Sequence, residues 1–250
     1  MKENLNRRGA VIPRFLYKYR SLDEFTSRML IDVEVFFASP AKLNDPFDSG
    51  AHYTLSAPTD SQRDALRRRM IEQGATDVSD KVMDYELSRH RDEHAQKANE
   101  ILHGRLGVFC MSEKNDDILM WSHYANSHRG ICVRLDTQQF LTVNRNKIYR
   151  VTYCSKYPTY ALFDETNDPL DVILTKSPHW KYEREWRAVH SPSRPVRLPK
   201  SAISAIILGC RISESEELCV RAWIGASSPR PTVLRARKKP SEYGLDIVPA

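Results

Sequence analysis

The stretch HWKYEREWRAVH, residues 179–190, followed by AISAIILG, residues 202–209, decides how this chain is read. EWRAVHS and AISAIILGC have the apolar, β-branched and aromatic content of strands, the second long enough in aliphatic residues to be buried. Glu183 lies just ahead of the first and Glu185 opens it, flanked by Trp180 and Trp186 and interleaved with Arg184 and Arg187. On a strand, residues two apart share a face, so both carboxylates project together with Arg184 opposite. Two close carboxylates repel, and the pair holds one proton more tightly than an isolated acid does. That arrangement suits general acid–base chemistry or stabilisation of an oxocarbenium-like cation at a ribose. The same residues are equally compatible with two ion pairs to nearby arginines.

Outward from this stretch the chain alternates short strands with a few helices. RFLYKYRS (14–21) and EVFFASP (34–40) read as strands on either side of a helix LDEFTSRMLI, for which Ser21 and Glu24 supply a capping box. AKLNDPFDSG (41–50) is a loop punctuated by Asn44-Asp45-Pro46. Residues 59–103 are highly charged with helical spacing and read as two helices, about 61–73 and 79–102, forming an exposed insertion or lid. Strands return at RLGVFCMS (105–112), GICVRLD (130–136) and KIYRVTYCS (147–155), with helices at DILMWSHYAN, capped by Asn115 or Asp116, and at DPLDVILTKS (168–177). SESEELCVRAWI (213–224) is a helix with a capping box, and PTVLRARKK (231–239) with YGLDIVPA (243–250) closes the chain as a hairpin. No regular strand–helix–strand alternation appears. The expectation is one α+β domain over residues 1–250, with a split mixed or antiparallel sheet, flanking helices and the 59–103 helical insertion.

Composition narrows the function classes. Of the 250 residues 41% are hydrophobic and 28% charged, which describes a globular chain. No run approaches the roughly 18 apolar residues of a membrane span, and the N-terminus lacks a signal-peptide core, so a cytoplasmic protein without membrane attachment is expected. The five scattered cysteines form no CxxC and suggest neither a disulfide framework nor a zinc ribbon, and Cys132, Cys154 and Cys210, in apolar or strand-like runs, read as buried thiols. Net charge is +6 and the pI about 9.0, which permits a polyanionic partner. Basic runs at 67–69 and 235–239 read as solvated faces. There is no GxGxxG and no GxxxxGK[ST]. His90, Glu93 and His94 match the HxxEH zinc pattern, but their neighbours are almost all polar, as on an exposed helix rather than a buried metal site. His123 and His128, near Cys110 and Cys132, fit no standard metal spacing. No metal ligands are assigned.

Other residues could build a nucleotide cleft. Alternation sends Tyr17 and Tyr19 to one face of the first strand and Lys18 and Arg20 to the other, where either cation could hold a pyrophosphate through charge-assisted hydrogen bonds. An edge strand would use the same lysine to block aggregation. Trp121 and Tyr124 are three apart on one helix face, either as a stacking platform for adenine or nicotinamide or as core.

Taken in order, LYKYRS (16–21), FFASPAKLNDPFD (36–48), FCMS and DILMWSHYANSHRGICVRLD (109–136), and KSPHWKYEREWR (176–187) resemble a bacterial family known as domain-of-unknown-function family 2971, over about residues 14–210. More distantly the chain resembles the ADP-ribosyltransferase superfamily. Those domains have small split α+β sheets, a first strand with a polar NAD-contacting residue, a middle strand bearing a serine or aromatic residue near the nicotinamide, and a late strand carrying the catalytic glutamate, often as ExE. The counterparts here are LYKYRS, VFCMS with Ser112, and EREWRAVH followed closely by ISAIILG. The resemblance implies Glu185 as catalytic glutamate and Glu183 as its partner. It implies NAD as substrate, held by Tyr17, Lys18, Tyr19, Arg20, Asn44, Ser112, Trp121 and Tyr124. It departs at the opening position, where Lys18 stands for the usual histidine or arginine, and at Ser112, which lacks the serine–threonine–serine pattern.

The leading expectation is therefore an NAD-consuming ADP-ribosyltransferase-like enzyme or NAD glycohydrolase, acting on nucleic acid, protein or water, as a toxin or antiphage defence effector would. One alternative is a non-catalytic nucleotide- or nucleic-acid-binding module. Another is a metal-dependent nuclease using Asp45, Asp48, Glu183 and Glu185.

Overall fold

The structure is a computed structural model and describes residues 8–55, 59–89, 91–144, 147–162 and 168–250. In chain order its elements are β1 (Phe15–Arg20), α1 (Glu24–Ile31), β2 (Glu34–Phe36), β3 (His52–Leu55), α2 (Asp60–Glu72), α3 (Asp80–Arg89), α4 (Arg91–Arg105) and β4 (Gly107–Ser112). There follow α5 (Ile118–Tyr124), β5 (Ile131–Asp136), α6 (Thr137–Asn144), β6 (Ile148–Arg150), β7 (Thr152–Tyr153), β8 (Thr159–Leu162), α7 (Pro169–Ile173) and β9 (Thr175–Lys176). The chain finishes with β10 (Glu185–His190), β11 (Pro195–Arg197), β12 (Ile203–Leu208), α8 (Glu214–Trp223), β13 (Thr232–Lys238) and β14 (Leu245–Pro249).

The fold is α+β, built on one mixed sheet in the order β14-β13-β12-β5-β1-β4-β10-β6, with β12 and β13 parallel and the other neighbours antiparallel. One junction differs from the rest. β1 and β5 pair along six residues and β10 and β4 along six, but β1 meets β4 at a single registered pair, Tyr17 with Ser112. Beyond that pair the two strands part, so the sheet is open near its middle.

Side-chain alternation turns this sheet into two packed faces. Leu16, Val133, Leu135 and Ile206 point to the larger core, which α1, α6 and α8 cover with Met29, Leu30, Phe140 and Val220. On the opposite face two smaller clusters form. One is Tyr19, Cys132, Ile207 and Ala236 under Met120 and Trp121 of α5. The other is Val108, Tyr149 and Val189 under Ile173 and Leu174 at the end of α7. The open junction of β1 and β4 lies between them.

Several boundaries move for local reasons. The cap of α1 is Asp23, not Ser21, because its carboxylate accepts the Thr26 N–H. The cap of α5 is Asp117, not Asn115 or Asp116, and accepts two backbone N–H groups. The stretch read as one strand over 147–155 breaks at Val151: β6 joins the main sheet, while β7 pairs in parallel with β9. The expected helix over 168–177 stops at Ile173, and Lys176 lies in β9. The segment read as two helices carries three, α2, α3 and α4, with His90 outside the described residues. SESEELCVRAWI forms α8 with the expected capping box, Ser213 with Glu216. No described helix is long and apolar enough to cross a membrane.

Candidate functional site

The two glutamates do not share a strand. Pro178–Glu183 is a 3₁₀ turn, started by Ser177, whose hydroxyl accepts the His179 N–H, and ended by Arg184 in the left-handed region at φ 44°. Glu183 closes the turn and Glu185 opens β10. The turn is tied to β4: the Ser112 hydroxyl donates to the Glu183 carbonyl at 2.6 Å and accepts the Lys114 N–H at 3.0 Å, and the Glu113 N–H donates to the Arg184 carbonyl. The carboxylates nevertheless converge, on cations instead of a common strand face.

Lys176 bridges them, with its Nζ 2.5 Å from Glu183 Oε2 and 2.9 Å from Glu185 Oε2. Arg187, on the same face of β10 two residues after Glu185, grips it through Nε at 2.8 Å and Nη2 at 3.1 Å. The rest of the guanidinium fork holds Asp48 at 2.9 and 2.6 Å and the Ile173 carbonyl at 2.5 Å. All five side chains are buried, and Arg187 is 0% exposed. Three carboxylates against two cations leave one net negative charge when every group is ionised.

The carboxylates are driven apart. Burial and the charge of Glu185 raise the Glu183 pKa above the usual glutamate value, against the pull of Lys176. Burial would raise Glu185 too, but Arg187 and Lys176 outweigh it and hold this carboxyl far below the usual range. Burial pushes the Cys110 thiol up to about 12, helped by the charge of Glu185. The Tyr124 hydroxyl donates to Glu183 Oε1 at 2.6 Å and accepts from Asn44 at 3.3 Å. Burial, then the Glu183 charge, raises its pKa. Two adjacent carboxyls, one with its pKa raised and one held firmly ionised, are the arrangement acid–base enzymes use to separate roles.

These groups line a cavity of about 200 Å³ at the open β1/β4 junction. Of the sequence-named residues, Tyr17, Lys18, Tyr19, Asn44, Ser112, Tyr124, Glu183 and Glu185 all border it. Lys18 forms no ion pair among the described residues; its ammonium lies 5.0 Å from the Phe109 ring centroid, and burial lowers its pKa. Tyr19 donates to the Lys114 carbonyl and packs edge-on against Trp121. Arg20 and Trp121 do not border this cavity. Arg20 donates to Asp23 and Thr26 and faces an adjoining cavity of about 230 Å³, which shares Lys18, Leu43 and Cys110 with the first. Trp121 is wholly buried, its indole N–H given to the Asn115 carbonyl, and it is core rather than platform.

Sequence reading missed Lys176 and Tyr153, whose hydroxyl accepts the Glu185 N–H at 2.9 Å. Asp48 was considered only as a metal ligand. It lies 139 positions from Arg187, and no local periodicity announces such a pairing. Asp45, the other proposed ligand, accepts the Trp180 indole N–H. Lys176 and Arg187 fill the position that a cation between Asp48, Glu183 and Glu185 would take. Among the described residues no group of three or more His, Cys, Asp or Glu is placed to hold a metal ion. The HxxEH motif begins at His90, outside the described residues. His128 stacks on Trp121 and pairs with Ser122 rather than with His123.

No curated protein and no solved structure matches the chain. Residues 120–188 match the model of a family described as "Protein of unknown function (DUF2971)". That span holds Tyr124, Lys176, Glu183, Glu185 and Arg187, so the part of this chain that is similar to the family contains most of the buried ionic cluster.

Proposed function

We propose that this chain is an NAD-consuming enzyme of ADP-ribosyltransferase type, with the cavity at the β1/β4 opening as its active site. The observation that carries the reading is convergence. The first, middle and late strands singled out by sequence, β1, β4 and β10, are successive neighbours, and Tyr17, Lys18, Ser112 and Glu185 from them border one cavity with Glu183. About 200 Å³ suits one half of a dinucleotide, below the roughly 300 Å³ at which whole-ligand pockets begin. The adjoining cavity, lined by Phe25, Val35 and Phe36, offers an apolar place for the other half. Lys18 borders both and lies where a pyrophosphate would cross.

In this reading Glu185 is catalytic. A carboxylate offers about four acceptor positions; Glu185 spends three on N–H donors and the fourth on the weakly donating Cys110 thiol, which a ribose hydroxyl would displace. Its fixed charge stabilises positive charge growing at C1′ as the bond to the pyridinium nitrogen breaks. Both bonding electrons pass to that nitrogen, and neutral nicotinamide leaves. The acceptor donates an electron pair to C1′ and loses a proton, for which Glu183, with its raised pKa and contact to Tyr124, is the base. Ser112 and Arg187 position these groups.

One observation favours a second reading, a nucleotide-binding module without catalysis. Glu185 is gripped so fully by Arg187 and Lys176 that it resembles a structural ion pair. Purified protein incubated with NAD, with nicotinamide followed by chromatography, separates the two. The enzyme reading expects release that falls at least about 100-fold in Glu185→Gln, the scale of losing one electrostatic stabiliser. No release from folded wild-type protein, with or without added acceptors, would leave the binding module.

A further inference from the structure

Residues 38–48 form a strap along the cavity, pinned at several points. Its start pairs with β4 through two backbone hydrogen bonds between Ala38 and Val108. The Ser39 hydroxyl then donates to the His103 carbonyl of α4, the Asn44 amide to the Tyr124 hydroxyl of α5, and Asp45 accepts the Trp180 indole N–H at 2.6 Å. Buried Asp48 closes the strap by accepting two N–H bonds from Arg187 of β10. From this strap Lys42, Leu43, Asn44 and Asp48 line the cavity.

The reactive carboxyls are almost closed off beneath it: the side chains of Glu183 and Glu185 are each 4% exposed. Glu183, the base of the proposed reaction, has one oxygen against the Tyr124 hydroxyl and the other against the Lys176 ammonium. An acceptor must bring its nucleophilic atom within about 2.6–3.2 Å of that base while it faces C1′. It must do so with the nicotinamide-bearing half of the substrate already filling much of the roughly 200 Å³. A protein side chain or a nucleobase arrives attached to its own backbone, so the strap or α5 would have to part, breaking the Arg187–Asp48 or the Tyr124–Glu183 contact. The other approach, past Lys18, Leu43 and Cys110 from the adjoining cavity, is the one the dinucleotide itself would occupy. A water molecule needs only about 30 Å³ and no opening of the strap.

We infer that the acceptor is water, so that the chain is an NAD glycohydrolase. The inference rests on the reading of this cavity as the site of NAD cleavage and names the one participant which that reading leaves open. The water oxygen donates an electron pair to C1′ as the bond to the pyridinium nitrogen breaks, and Glu183 takes the proton that the water loses. The products are ADP-ribose, neutral nicotinamide and one proton, released when Glu183 ionises again. Only an acceptor close to water in size, such as methanol, would share the site.

The test follows the fate of NAD labelled in its adenine. The full chain is incubated with it in buffer, in buffer with cell-lysate protein and nucleic acid, and in buffer with methanol or butanol at equal concentration, with Glu185→Gln as the blank in each. Chromatography separates nicotinamide, ADP-ribose, its alkyl glycosides and labelled macromolecules. The expected result is one free ADP-ribose for every nicotinamide in buffer and in lysate alike, with no label in macromolecules above the blank. Methanol should divert part of the product to the methyl glycoside, and butanol should yield no glycoside. Nicotinamide, ADP-ribose and methyl glycoside should fall together about 100-fold in Glu185→Gln, which assigns all of them to this cavity. Label carried into protein or nucleic acid, release that speeds up when these are added, or a butyl glycoside would overturn water as the acceptor and leave the cleavage reading standing. Absence of nicotinamide release from folded protein in every mixture would remove the cleavage reading and the water acceptor with it.

Discussion

Arg187 is the residue on which the buried cluster depends most, and replacing it with methionine tests that dependence. Its side chain is 0% exposed and gives two N–H bonds to Glu185, two to Asp48 and one to the Ile173 carbonyl. Methionine fills much of the volume and none of the charge. Asp48, Glu183 and Glu185 would then face Lys176 alone, with two negative charges uncompensated in the interior instead of one. Breaking a buried network by removing one partner costs about 3–5 kcal/mol, because the remaining charges cannot recover their hydration. Domain stabilities run from about 5 to 15 kcal/mol, so Arg187→Met should remove at least about a fifth of the total. In a chain of this size the melting midpoint should fall by roughly 6–20 °C. Urea unfolding at pH 7, followed by circular dichroism, measures the loss. The deficit should shrink toward pH 5, where the stranded carboxylates can take up protons. A loss below about 1 kcal/mol, typical of a surface substitution, would refute the reasoning.

Three further outcomes follow from the same geometry. Native Glu183 keeps its proton above the unfolded value of about 4.3, so its ionisation opposes folding and withdraws stability as pH rises, whereas Glu185 is depressed and contributes stability that is lost as pH falls below that value. Glu183→Gln should therefore remove the stability lost as pH rises from about 4.3, and Glu185→Gln the stability lost as pH falls below it, which urea midpoints between pH 3 and 9 would show. Ser112→Ala leaves the Lys114 N–H and the Glu183 carbonyl without their shared partner and should lose about 1–3 kcal/mol in urea unfolding. Exposed Cys154 and Cys219 should react quickly with a thiol reagent, while Cys132 and the Cys110 thiol, raised to about 12, should react only on unfolding, as a spectrophotometric thiol count would reveal.

The strands of the main sheet were legible because burial on both faces leaves aliphatic runs, as in ICVRLD and AISAIILG, and α8 was legible because Ser213 and Glu216 write its cap into the sequence. Strand β3, β8 and β11 were missed: each is three or four residues long and pairs only with one distant partner. Helix α6 was missed because it follows β5 without a turn, its start set by Asp136, which accepts the Gln138 N–H. The paired glutamates were recognised, but their geometry was not. A strand places residues 183 and 185 on one face by alternation, whereas the left-handed Arg184 ends a 3₁₀ turn and lets Lys176 draw the two carboxyls together. Lys176 and Asp48 carried no local signal, since their partners are set by how α7, β9 and the 41–50 loop fold against β10.

The most direct test of the central claim is the crystal structure of Glu185→Gln grown with millimolar NAD. The account predicts the nicotinamide-bearing ribose in the cavity against residues 183 and 185, the pyrophosphate beside Lys18 and the adenine end toward Phe25 and Phe36. An empty cavity at that concentration, or a dinucleotide bound away from the β1/β4 opening, would contradict it.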